Sequence, residues 1–175
     1  MKIRFDEIPS EGLRLTIKDE AWFPDHDLSR DGGVLAVVFL RREGRARVLM
    51  EGTLTVTVCL TCDRCLESYP LPLEETFVVD FELADESVVA SSAGEHLLGS
   101  NEMDAVFLLE PAIDIYQVLE QQVFLALPEK HLCAEQCRGL CGGCGVNLNE
   151  QDCRCGGEKR VSPFSVLAGL KQTKE

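Results

Sequence analysis

The chain has 175 residues, 45% of them apolar, with 17 basic and 30 acidic side chains and a formal net charge of −13. That length suits one domain plus a small appendage, and the apolar share is enough for a real core. The excess of acid repels phosphate at long range, which argues against sequence-independent nucleic-acid binding by the acidic part of the chain.

The charge is unevenly spread. Residues 1–58 are net −1 and residues 133–175 net +1, whereas residues 59–132 carry two basic and fifteen acidic side chains. The whole formal charge therefore sits in the middle. A basic protein partner is its natural complement, and a solvated face is the plainer alternative. No run approaches the roughly 18 apolar residues of a membrane-spanning helix. The opening MKIRFDEIPSEG is acidic and lacks the apolar stretch of a secretion signal. A cytoplasmic protein with reduced thiols is expected.

Leu13, Leu15 and Ile17 alternate with Arg14, Thr16 and Lys18, which predicts a half-buried strand. Trp22, the single tryptophan, is expected to pack in or beside the core. Arg30-Asp31-Gly32-Gly33 reads as a turn. Val34 to Leu40 is apolar and rich in β-branched residues, which predicts a buried strand. The segment from Arg41 to Arg45 reads as a hairpin turn. Its arginines, with Arg47, form a basic tip that is either solvated or suited to phosphate. From about Ala46 to Leu60 period two is clean: Leu54, Val56, Val58 and Leu60 share one face, Thr53, Thr55, Thr57 and Cys59 the other. Gly52 inside this run predicts a bulge or bend.

Pro70-Leu71-Pro72 punctuates the chain, and Phe77, Val79, Phe81 and Leu83 predict a further strand. Residues 84–105, rich in small and acidic side chains, read as a mobile surface loop. Val106 to Leu109 predicts a short strand. Asp114 caps the clearest helix, with Ile115, Val118, Leu119, Gln122, Leu125 and Ala126 on its apolar face and Pro128 as its stop. Near the end, Ser162 and Pro163 predict the start of a short helix with Phe164, Leu167, Ala168 and Lys171 on one face. The fold class is α+β: an antiparallel β-rich body with one packed helix and a C-terminal cysteine-rich zinc-binding segment. The division expected is residues 1–130 for the body and 131–175 for the cysteine-rich segment and tail.

Six of the nine cysteines fall between Cys133 and Cys155. Cys141-Gly142-Gly143-Cys144-Gly145 places two thiols three apart on a glycine-rich turn, the geometry that grips one tetrahedral ion from one side. Cys153-Arg154-Cys155 follows after a short polar loop. The predicted ligands are Cys141, Cys144, Cys153 and Cys155, with Cys137 and Cys133 as alternates and zinc as the metal. Cys62 and Cys65 have ligand spacing too and form a candidate second site, although no glycine supports a knuckle there. Cys59 reads as a buried apolar residue. His131 lies near the cluster in sequence and reads as a linker residue or a substitute ligand. Three other readings of the thiols stand beside zinc. Disulfides are disfavoured in a reducing compartment. A thioredoxin-like pair would open a helix inside a βαβ unit. An iron–sulfur cluster also takes four thiolates.

Taken together these pieces resemble the YceD family, the large ribosomal RNA subunit accumulation proteins. The resemblance rests on Cys62-Asp63-Arg64-Cys65-Leu66-Glu67 after a strand, on the helix ending at Leu127-Pro128, and on Cys137-Arg138-Gly139-Leu140-Cys141. It rests also on Cys144-Gly145, Asn147-Leu148-Asn149, Cys153-x-Cys155 and the closing run from Pro163 to Lys171. Order and spacing match from about residue 45 onward; the first forty residues match in character alone. The resemblance implies a role in making, processing or stabilising the RNA of the large ribosomal subunit, without enzymatic activity. It also implies that metal is a structural staple in some members and not the shared activity.

No nucleotide-binding glycine motif or catalytic triad order is present in the sequence, so no small-molecule substrate and no catalysis are expected. The expected partner is a large-subunit precursor or a basic ribosomal protein, with any RNA contact indirect and no membrane. Arg154, Lys159, Arg160, Phe164 and Lys171 are the residues expected to face it. The alternative is a thiol redox or metal-handling protein working through the CxxC pairs.

Overall fold

A computed structural model of the chain describes residues 1–84 and 105–155. It divides into two compact units. Unit 1 comprises residues 1–60 and 70–129, and unit 2 comprises residues 61–69 and 130–175.

Unit 1 is built on a five-stranded sheet in the order β2-β3-β4-β5-β6, with β2 at Leu13–Ile17, β3 at Ser29–Glu43, β4 at Arg47–Thr61, β5 at Ser68–Leu83 and β6 at Ala105–Leu108. A separate two-stranded ladder pairs β1, Lys2–Arg4, with β7, Ala112–Asp114. The helix α1 follows directly at Ile115–Ala126. This is the antiparallel β-rich body with one packed helix that the sequence predicts. One detail differs: β6 runs parallel to β5, with Asp80 opposite Ala105 and Leu83 opposite Leu108.

The period-two pattern sets the core. Val34, Ala36, Val38 and Leu40 of β3 and Val48, Met50, Leu54, Val56, Val58 and Leu60 of β4 are buried, as are Leu73, Phe77 and Phe81 of β5. The hairpin between β3 and β4 is long. It holds register from Glu43 opposite Arg47 to Leu35 opposite Thr55, and resumes at Asp31 opposite Thr57. The irregularity between Asp31 and Leu35 corrects the turn expected at Arg30–Gly33. That stretch is a bulge within one strand, where Gly32 takes a φ of +81°. Gly52, expected to mark a bulge, lies in regular register opposite Val38. Its role is space: a Cβ there would sit 2.5 Å from the Phe77 ring. Pro70 and Pro72 lie inside β5 and do not end it. Two apart, they turn their missing N–H groups to the same side, and pairing with β6 starts only at Asp80.

Asp114 caps α1 by accepting from the Tyr116 backbone N–H at 3.2 Å. The helix buries Ile115, Val118, Leu119 and Val123 and packs on β1 and on the turn Glu20–Trp22. The predicted face is therefore corrected at its C-terminal end. Leu125 is 76% exposed and Val123, one turn beyond Leu119, takes the inward position. Trp22 is buried as expected, edge-on to Phe23. The basic hairpin tip is largely engaged within unit 1. Arg47 grips the Asp80 carboxylate with two nitrogens, Arg41 bonds Glu43, and Arg42 donates to the Phe5 carbonyl. The loop expected at residues 84–105 and the helix expected from Ser162 lie almost wholly outside the described residues. No helix among the described residues is long and apolar enough to cross a membrane.

Candidate metal centre

The described part of unit 2 has almost no conventional core. Among its described residues the buried apolar side chains are Cys62, Cys65 and Cys137, with Tyr69 and Leu132 partly buried against them. Ordering a backbone costs on the order of 1–2 kcal/mol per residue. Three thiols do not offset that for a segment of this length.

The nine cysteines are all free thiols, and eight of them gather into two tetrads. The first is Cys62, Cys65, Cys133 and Cys137; the second is Cys141, Cys144, Cys153 and Cys155. Within each, all four sulfurs lie within 4.8 Å of one another. Cys133 and Cys137 thus stand with Cys62 and Cys65, not beside Cys141. In the first tetrad Sγ of Cys62 is 3.8 Å from that of Cys137, and Cys65 is 3.6 Å from Cys133. In the second, Cys141 lies 3.3 Å from Cys153 and 3.4 Å from Cys155, while Cys144 lies 3.5 Å and 3.4 Å from the same two. Four thiolates around one zinc at about 2.3 Å define a tetrahedron with edges of about 3.8 Å. The donor set fits a single tetrahedral ion. A polynuclear cluster, which spreads its thiolates over several irons, needs a wider cage.

Each tetrad is half made by a CxxC knuckle, and the two knuckles share one backbone scheme. The Cys62 N–H donates to the Glu67 carbonyl at 2.9 Å, and the Cys141 N–H to the Val146 carbonyl at 2.8 Å. The Leu66 N–H donates to the Cys62 carbonyl and the Gly145 N–H to the Cys141 carbonyl, both at 2.9 Å. The residue after the second cysteine is left-handed in both, with φ of +62° at Leu66 and +77° at Gly145. Glycine adopts that conformation freely and leucine does not. The expectation that the Cys62 loop lacks a knuckle because it lacks glycine is therefore corrected: Leu66 bears the strain.

The amides of these loops face the sulfurs. At Cys141 the N–H groups of Cys144 and Gly143 hold the thiol at about 6, well below its ordinary 9.0. At Cys62 burial works against ionisation, but the N–H groups of Cys133, Cys65 and Arg64 outweigh it and the thiol again stands at about 6. The neighbours move the other way. Sulfur partners, Cys65 first for one and Cys153 first for the other, push Cys133 and Cys155 up to about 12. Each tetrad favours a thiolate yet cannot hold four negative sulfurs without a cation.

The strand ends and the chain after α1 build the first tetrad. Cys62 directly follows β4, and the segment 131–140 clasps its knuckle. Asp63 donates its N–H to the His131 carbonyl at 2.7 Å and accepts the His131 N–H at 2.8 Å. His131 is held through its backbone and belongs to neither tetrad. Arg64 Nη1 donates to the Cys137 carbonyl at 2.9 Å, and Leu140 N–H donates back to the Arg64 carbonyl at 3.0 Å. Gly139 allows that approach, with φ of +71° and no room for a Cβ, which would meet the Arg64 oxygen at 2.9 Å. Cys59, expected to be buried, is half-buried, faces Ser29 across the ladder and joins no tetrad. Arg154 is exposed between Cys153 and Cys155. Lys159, Arg160, Phe164 and Lys171 lie outside the described residues.

The family model described as "Large ribosomal RNA subunit accumulation protein YceD" matches residues 50–171. Among relatives, the large ribosomal RNA subunit accumulation protein YCED homolog 1, chloroplastic, of Arabidopsis thaliana is 26% identical over 92% of this chain and 54% of its own length. The Zea mays protein of the same name is 26% identical over 78% of this chain and 53% of its own. An uncharacterized protein of Mycobacterium tuberculosis is 29% identical over 67% of this chain and 54% of its own. The chain spans about half the length of the curated relatives it matches. No solved structure matches. With both knuckles and the Asn147-Leu148-Asn149 loop inside the matched span, the chain belongs to the YceD family.

Proposed function

We propose that this protein is a non-enzymatic factor that supports accumulation of large-subunit ribosomal RNA in the cytoplasm, acting by binding a precursor particle or a basic ribosomal protein. The observation that carries this reading is the family match over residues 50–171, whose description names large ribosomal RNA subunit accumulation. The charge supports the choice of partner. Residues 59–132 concentrate the acid of the chain, and an acidic surface attracts a basic protein more readily than bare RNA. Arg154, with Lys159, Arg160, Phe164 and Lys171, is the proposed partner-facing set, and contact with RNA is through the particle.

Zinc at Cys141, Cys144, Cys153 and Cys155 has a structural part in this reading. A closed four-sulfur site leaves no open position for substrate. Structural zinc contributes roughly 10–16 kcal/mol of apparent free energy in small finger peptides, which offsets the ordering cost of a unit whose buried apolar side chains, among the described residues, are cysteines. The protein should co-sediment with large-subunit precursors and be released by added salt. Migration only at the top of the gradient under gentle conditions would count against the proposal. Thiol titration separates it from a redox or metal-handling role. A structural site keeps its four thiols unreactive until chelator or denaturant is added, whereas a cycling dithiol reacts at once.

A further inference from the structure

We infer that the chain holds two ions, the second in the tetrad Cys62, Cys65, Cys133 and Cys137, and that Asn149 ties the two centres together so that filling one tightens the other. This rests on the metal reading of the Cys141 tetrad, and it goes beyond it in site, number and coupling.

The second ion is argued from backbone as well as sulfur. The Cys62 loop repeats the Cys141 loop bond for bond, including the left-handed fifth residue, although its sequence gives that position to Leu66. A leucine held at φ +62° is strained, because its Cβ crowds the following carbonyl oxygen. Leu66 is 64% exposed, so packing of its own side chain does not explain the strain. Aiming two loop amides at one sulfur beside three more sulfurs does.

The coupling is argued from Asn149. It lies on the loop that joins Cys144 to Cys153 and so is positioned by closure of the second tetrad. Its Oδ1 accepts the Arg138 N–H at 2.7 Å. That bond fixes the amide orientation and turns Nδ2 toward the first tetrad, 3.2 Å from Cys137 Sγ. The same loop docks on the strip beside Cys137, where Leu148 N–H donates to the Gly139 carbonyl at 2.9 Å and Leu140 bridges Asn147. An N–H donor on a ligand sulfur spreads the thiolate charge and fixes its direction, and loss of such outer contacts commonly costs 10–100-fold in metal affinity. An ion in the second tetrad orders the loop and presents Asn149. An ion in the first fixes Cys137 and the strip on which the loop rests. Linkage makes the two effects equal. Asn149 is thus a positioning residue for both ions.

The test uses the full-length protein, zinc and cobalt(II) as probes, and a chromophoric chelator as competitor. The wild type should bind two ions per chain, each cobalt ion giving four-thiolate charge-transfer absorption. C141S/C144S should keep one ion, held about tenfold more weakly than the ion of the first tetrad in the two-ion wild type. N149A keeps all eight thiols and should bind two ions, the first also weakened about tenfold. Adding C141S/C144S to N149A should weaken the first site no further. One ion per wild-type chain would overturn the inference. So would a first site whose affinity is unmoved by N149A or by C141S/C144S. None of these readouts involves ribosomes, so their failure is distinct from failure of particle association.

Discussion

The two knuckles of unit 2 have one geometry and two sequences. Cys141-Gly142-Gly143-Cys144-Gly145 has the glycines that the turn favours, lies near the surface and announces itself. Cys62-Asp63-Arg64-Cys65-Leu66 adopts the same hydrogen bonds without a glycine, and its tetrad contains the buried apolar side chains of the unit's described residues. Where neighbours determine the backbone, local propensity yields. His131, Cys137 and Leu140 of the segment 131–140 clasp the Cys62 loop through Asp63 and Arg64, whereas the Cys141 loop depends on its own glycines. The buried site is set by packing across sequence, the exposed one by residues next to one another.

The largest effect should come from breaking both at once. A chain carrying Cys62→Ser, Cys65→Ser, Cys141→Ser and Cys144→Ser should bind no zinc and lose an apparent stabilisation of about 10 kcal/mol or more in unit 2, read as fast amide exchange over residues 61–69 and 130–155. Retention of slow exchange there would show that the thiols are not what orders the unit.

Next comes the contact that clasps the first knuckle. Gly139→Ala adds a Cβ against the Arg64 carbonyl in a left-handed conformation and should cost roughly 1–3 kcal/mol, read as a weaker first ion in chelator competition. Wild-type affinity in that variant would mean the clasp gives way without consequence.

The sharpest comparison exchanges the fifth residues. Gly145→Leu should destabilise the second knuckle by about 1 kcal/mol, and Leu66→Gly should stabilise the first by a similar amount. Denaturant midpoints of the zinc-loaded protein should move in opposite directions. Equal losses for both would mean that Leu66 packs in a way its exposure does not indicate.

The smallest effect lies in unit 1 and serves as a control. The Ala21 N–H first, then the Tyr116 hydroxyl at 2.8 Å, hold the Asp19 carboxyl below its ordinary 3.8. A depressed carboxyl contributes stability that is full above that ordinary value and fades as pH falls through the lower, folded one. Asp19→Asn should therefore lower stability slightly at neutral pH and flatten its acid limb, leaving zinc content unchanged. An unaltered acid limb would remove Asp19 from the account.

Much of this was legible in the residues. Period two located β3 and β4 because a sheet with one buried face imposes it, and Asp114 with Pro128 bounded the helix to within two residues. The CxxC spacings located both knuckles. What failed to show was long-range. Nothing beside Cys133 or Cys137 says that their partners lie some seventy residues earlier, since that pairing follows from the segment 131–140 folding back on the β4–β5 turn. Glycines mark bulges and turns alike, so Arg30–Gly33 predicts a turn where the strand bulges. Gly52 predicts a bulge or bend, because the Phe77 ring that needs its space is on another strand. Pro70 and Pro72 predict a break, yet both lie inside β5. The Cys62 loop lacks the glycine that marks a knuckle, a local rule overruled by the clasp around it.

On the proposed reading, bound metal gives unit 2 its shape. The direct measurement is hydrogen exchange on the full-length protein with zinc and after its removal by chelator. Exchange at Cys62, Leu66, Cys141 and Gly145 should be slow with zinc and rapid without it, while β3 and β4 of unit 1 stay protected throughout. Slow exchange at those four amides in the metal-free protein would contradict it.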